Sequence, residues 1–167
     1  MNENTTTKPV IELKNLKHFA AGSQETHCYT ATIYVDGKRF ASVENNGHGG
    51  CDNVHPFEGG YEVVRELEAR IKATFPREVS EYFPEGMEAS LESVCCDLVN
   101  DLLFAKDWKS KLKRRIVAVK DNAAYVWPAK FKPTAARLEQ FRTQMTEYKV
   151  LNDLPVDEAL EILRATD

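Results

Sequence analysis

The chain has 167 residues, 43% hydrophobic and 29% charged, with a formal net charge of −4 and a mean hydropathy of −0.45. That length can bury a core without disulfide staples. The weakly negative balance speaks against nucleic-acid binding through an overall positive field, and no apolar run approaches the roughly 20 residues of a membrane helix.

The polar start, MNENTTTKP, has no apolar segment of the kind a signal peptide needs. Residues 1–8 are expected to form a flexible tail and the protein to work in the cytoplasm. Residues 9–167 are expected to make one α+β domain, with 129–167 as a possible small C-terminal appendage.

Val10 to Leu16 alternates Ile11 and Leu13 with Glu12 and Lys14, the mark of a half-buried strand. The alternation breaks at Asn15, where a bulge or a strand end is expected. Tyr29 to Glu44 then carries the clearest local signal, Val35-Asp36-Gly37-Lys38. Asp-Gly between alternating segments predicts a type I′ hairpin, because both central residues need positive φ. A two-residue turn sets the register: Val35 faces Lys38, Tyr34 faces Arg39, Ile33 faces Phe40 and Ala31 faces Ser42. Tyr29, Ala31, Ile33, Val35 and Phe40 then share the core face, while Ala41 and Val43 lie on the other. Continued outward, that register puts His27 opposite Asn46 and Glu25 opposite His48.

The stretch NNGHGGCDNVHP, residues 45–56, follows as a long glycine-rich loop. Tyr61, Val64, Leu67, Ile71 and Phe75 recur at helical spacing, and Pro76 ends that helix. Met87, Leu91, Val94, Cys95, Leu98, Val99, Leu102 and Leu103 predict a long central helix over 87–113 with a basic C-terminal end. Residues 115–127 read as a second hairpin turning at Asp121-Asn122. Thr134 is placed to cap a helix bearing Leu138, Phe141 and Met145, and Pro155 to open a last helix with Val156, Ala159, Leu160 and Leu163 inward. The fold class is α+β with antiparallel pairing: an N-terminal sheet of about three strands and a second hairpin, packed against several helices.

All four histidines, at 18, 27, 48 and 55, fall in the first third of the chain. The hairpin register gathers Glu25, His27, Asn46 and His48 beside Gly49, Gly50, Cys51, Asp52 and His55 as a candidate binding loop. His27, His48, Cys51 and His55 are ligand types that zinc accepts. Their spacing matches no zinc-finger pattern, no CxxC pair is present, and Cys28 falls on the opposite face of its strand from His27. No cofactor is therefore expected, with zinc as the alternative. The glycines also permit an anion nest, but neither GxGxxG nor GxxxxGK[ST] is present. No catalytic residues are assigned, because a Cys51–His pair lacks any nucleophile-elbow or oxyanion-hole motif. Cys95 and Cys96, adjacent in a helical pattern, read as small buried hydrophobes. One basic patch, Lys106, Lys109, Lys111, Lys113, Arg114 and Arg115 around Trp108, is a candidate contact for nucleic acid or an acidic surface.

The segment ETHCYTATIYVDGKRFASVENNGHGG, with an opening like IELKNLKHF and a tail like VLNDLPVDEALEI, resembles a family of small phage- and prophage-encoded proteins. The likeness spans most of the chain. It implies an accessory protein acting in the host cytoplasm, one that binds a host protein or nucleoprotein complex and inhibits a defence system such as CRISPR. It assigns no activity to particular residues. The two alternatives are a small metal- or nucleotide-dependent enzyme centred on the glycine-rich loop and a nucleic-acid-binding module.

Overall fold

A computed structural model describes residues 7–77, 79 and 81–166. Among them the fold is α+β, with two antiparallel sheets and four α-helices. The described residues up to Asn100 form one compact unit and those from Asp101 onward a second. The division falls inside a helix, upstream of the residue-129 boundary at which an appendage is expected.

The first unit holds a four-stranded sheet in the order β1 (Ile11–His18), β2 (Cys28–Val35), β3 (Lys38–Asn46) and β4 (Asn53–Pro56). This corrects the expectation of about three strands. The fourth comes from the end of the glycine-rich stretch, where Val54 pairs with Val43 and His55 with Ser42. In β1 the expected bulge is present: the pairing shifts between Lys14 and Lys17, and Asn15 has φ of 57°.

The β2–β3 turn forms as the Asp-Gly pair dictates, with φ of 50° at Asp36 and 77° at Gly37. The register beyond it does not. Tyr34 pairs with Arg39 but Ile33 pairs with Ala41, so Phe40 is an extra residue on β3. Such a bulge moves every later side chain of the strand to the opposite face. Ala41 and Val43 are consequently buried with Tyr29, Ala31 and Ile33, instead of on the outer face. The reason is legible in the residues. An unbroken ladder would turn Ser42 and Glu44 inward and leave Ala41 and Val43 in water, and the hydrophobic pattern overrides the ideal turn register.

Helix α1 (Gly60–Thr74) buries Leu67 and Ile71 but leaves Tyr61 exposed, contrary to its expected inward position. Helix α2 (Leu91–Arg114) begins four residues later than expected, and Met87 lies outside it. Ser90 and Ser93 explain the start. Each hydroxyl accepts from the other's backbone N–H at 3.0 Å, and Glu68 Oε1 accepts from Leu91 N at 3.1 Å. These bonds satisfy donors that a helix N-terminus leaves orphaned.

In the second unit, β5 (Val117–Lys120) pairs with β6 (Ala123–Val126) through the expected Asp121-Asn122 turn, whose φ values are 48° and 62°. The short β7 (Lys149–Val150) adds to the other edge of β5. Alternation along β5 serves two cores. Ile116 and Ala118 pack with Leu138 and Phe141 of α3 (Ala135–Gln144), while Val117 packs with Leu151 and with Ala159 and Leu163 of α4 (Val156–Arg164). Phe104, Trp108 and Leu112 of α2 border that second core. Val156 is exposed rather than inward.

Asn152 ties this unit together. Its Nδ2 donates to the carbonyls of Leu112 and Arg115 at 2.7 and 2.8 Å, and its Oδ1 accepts from Val117 N at 2.8 Å. One side chain thus satisfies the end of α2 and the start of β5. Asn152→Ala is expected to cost about 1–3 kcal/mol, because the buried Val117 N–H loses its acceptor and two carbonyls lose their donor. Equilibrium urea unfolding checks this, and a change below about 0.5 kcal/mol, the scale of an ordinary surface substitution, would contradict it.

Candidate functional site

The Phe40 bulge also decides what the glycine-rich stretch does. With the register moved by one, Asn46 pairs with Cys28, not with His27. Asn45 takes the inward position and is 6% exposed. Its Oδ1 accepts from Thr26 Oγ1 and from Gly47 N, both at 2.8 Å. Its Nδ2 donates to Gly50 O at 2.9 Å and to Asp52 Oδ1 at 3.0 Å. An Asn amide offers two donors and an acceptor oxygen with two lone pairs, so Asn45 is saturated.

Around it the network extends to Tyr29, whose hydroxyl donates to Asp52 Oδ2 at 2.5 Å. Burial first, and then the Asp52 carboxylate, raises the Tyr29 phenol far above its ordinary pKa, so it stays a donor. The carbonyl of Gly47 accepts from the backbone N–H groups of Gln24 and Glu25, both at 3.0 Å. Gly47 has φ of 84°, and a Cβ there would lie 2.1 Å from Gly22 O. The glycine is therefore required by the approach of two backbones.

The same shift changes the partners of the expected cluster. His48 Nδ1 meets Gln24 Oε1 at 3.2 Å, and its backbone N–H donates to Asn46 Oδ1 at 3.1 Å. Glu25 is exposed, with its carboxylate over Gly49. His27 Nε2 meets Asn100 Oδ1 at 2.7 Å, and its ring lies edge-on to His18 with centroids 5.2 Å apart. His55 sits on β4, and Cys51 is exposed. Among the described residues no three His, Cys, Asp or Glu side chains are grouped to hold a metal ion. The pairing of His27 with Asn46 that the ideal register implies is not formed, because Asn46 pairs with Cys28. Of the expected loop, Asp52 joins the network through its side chain, and Glu25, Gly49 and Gly50 join through their backbone.

The sequence pattern places Tyr29 on the core face but gives no part in the site to Tyr29, Thr26, Asn45, Glu92 or Asn100. The signal that points to the first three is the inward parity of Ala41, Val43 and then Asn45. Thr26, His27, Asp52, Glu92 and Cys96 border a cavity of about 60 Å³, far below the roughly 300 Å³ at which ligand pockets begin. The hydrogen bonds of Asn45 tie two loops to the sheet.

The basic patch divides as well. Lys111 bonds Asp107 at 2.6 Å and stands 4.3 Å over the Trp108 ring. Arg114 folds back on Ser110. Lys106, Lys109 and Lys113 are exposed at a spacing that puts them on one helical face.

Comparison of the chain with family models, with curated proteins and with solved structures found no match.

Cys95 is buried while Cys96, its neighbour on α2, is exposed, which corrects the reading of both as core residues. Burial, followed by the charges of Asp52, Glu68 and Glu92, pushes the Cys95 thiol up to about 12. Thiolate is the reactive form. Iodoacetamide at pH 8 is expected to modify Cys51 and Cys96 and to spare Cys95 in the folded protein, read by peptide mass spectrometry. Labelling of Cys95 at the rate of Cys51 would contradict this.

Proposed function

We propose that the protein is a phage-encoded accessory protein that acts by binding a host protein or nucleoprotein, as an inhibitor of a host defence system such as CRISPR. The observation that carries this reading is the segment between α1 and α2. Arg77 Nε and Nη2 both donate to Gly86 O, at 3.0 and 2.7 Å, and Gly86 N donates to Phe83 O at 2.9 Å. These bonds tie Gly86 to Arg77 and Phe83. Within it Val79 is 71% exposed, Tyr82 80%, Phe83 52% and Met87 47%.

Aromatic residues and Met are the types enriched at protein interfaces, and grouped exposed apolar side chains mark contact sites on soluble surfaces. A loop held by its own hydrogen bonds loses less entropy on binding than a floppy one. The chain up to Asn100 has 9 Lys and Arg against 16 Asp and Glu. An acidic surface around aromatic anchors favours a partner with a basic face, and nucleic-acid-binding host complexes present such faces. The resemblance of the hairpin and glycine segment to phage and prophage proteins supports the setting.

The test is affinity capture from bacterial lysate by the wild-type protein and by Tyr82→Ala/Phe83→Ala/Met87→Ala. Truncation of an interface hot spot costs about 2 kcal/mol or more, roughly 30-fold in affinity. A specific partner retained by the wild type and lost from the variant, with the thermal midpoint unchanged, is the expected result. A partner held equally by both would contradict the role of this loop.

A further inference from the structure

We propose that the second unit binds a nucleotide base, with its phosphate, in the pocket between β5–β6 and α3. This goes beyond the protein-binding loop and uses none of its residues. The pocket has a volume of about 350 Å³, within the range of small-ligand sites. Its lining includes Trp127, Phe131 and Phe141 as aromatic walls, with Arg137, Gln140 and Gln144 as polar groups.

The placement of these residues follows from local structure. Arg137, Gln140, Phe141 and Gln144 occur at i, i+3, i+4 and i+7 on α3, so one helical face presents all four. Phe141 is the buried member and meets Trp127 edge to face, with centroids 4.5 Å apart. Trp127 is itself held by Tyr148, at 5.3 Å, so its ring is fixed before any ligand arrives. Phe131 stands on the turn in which its N–H donates to Pro128 O at 2.9 Å, and it remains 39% exposed. Arg137 Nη1 donates to Lys130 O at 2.5 Å, which fixes the guanidinium at the pocket and leaves its other N–H groups for a ligand.

Each feature matches one part of a nucleotide. Aromatic rings stack on the faces of bases, and Gln amides pair with base edges, where donors and acceptors alternate. Arg137 in the lining suits a phosphate. The charge agrees: from Asp101 onward the chain has 13 Lys and Arg against 10 Asp and Glu, the reverse of the acidic first part. A purely apolar ligand would leave Arg137, Gln140 and Gln144 without purpose in the lining. An aliphatic peptide would not need three aromatic walls.

The base can belong to a single strand or to a free nucleotide, and the experiment separates these sources. Fluorescein-labelled 12-nucleotide single-stranded RNA and DNA are titrated with the full chain and followed by anisotropy at 50 and 200 mM NaCl, with adenosine monophosphate and unlabelled strand as competitors. Phe131→Ala, Arg137→Ala and Gln144→Ala are used because these side chains are solvent-accessible, and circular dichroism checks that each variant folds. Loss of one stacking partner is expected to weaken binding about tenfold at both salt concentrations. Arg137→Ala is expected to weaken it and to reduce the salt slope by about one phosphate contact. Competition by the monophosphate as strong as by the strand identifies a free-nucleotide site, and competition by the strand alone identifies a single-strand site. No binding of either probe at 50 mM salt overturns the proposal. So does binding lost on Lys106→Glu/Lys109→Glu but unchanged in all three pocket variants.

Discussion

Asn45 is the residue on which the first unit turns. A single buried amide bonds Thr26 in the β1–β2 connection, Gly47 and Gly50 in the glycine-rich stretch, and Asp52 just before β4. Through Asp52 it reaches Tyr29 on β2. Each buried group left unpaired costs about 1–3 kcal/mol, against a total stability of roughly 5–15 kcal/mol for a domain. Aspartate would not substitute, since it would lose both donors and set a second carboxylate against Asp52. Gly47 serves the same closure, because without a Cβ it can approach the Gly22 carbonyl.

That closure depends on a strand defect. Without the extra residue at Phe40, Asn45 would point outward and His27 would stand opposite Asn46. The turn was legible from Asp36-Gly37, as were the bulge at Asn15, the second turn at Asp121-Asn122 and the α+β class. Both readings of β3 were present in its residues: the ideal two-residue turn favours one parity, and Ala41 and Val43 favour the other. Burial of two apolar side chains outweighs one lost ladder pairing, so the pattern prevails. The candidate site inherited the wrong parity, and His27 meets Asn100 instead of facing Asn46.

Other features were hidden for different reasons. Asn152 lies 37 residues beyond Arg115, whose carbonyl it bonds, and no local pattern reports a contact that distant. The late start of α2 rests on Ser90, Ser93 and Glu68, the last contributed by another helix. The Arg77–Gly86 bonds lie beyond what any periodicity predicts. The separation of charge was visible as a trend, and the division at Asn100 and Asp101 gives it structural meaning. An acidic unit carries an aromatic loop, and a basic unit carries an aromatic pocket.

The most direct test of the Asn45 closure is amide hydrogen exchange by NMR on the wild-type protein and on Asn45→Ala. The amides of Gln24 and Glu25, which donate to Gly47 O, report on the loop lock, and those of β2 report on the sheet. Loss of protection at Gln24 and Glu25 with β2 still protected is the result expected if Asn45 holds the loops in place. Unchanged protection at Gln24 and Glu25 in the variant would contradict it.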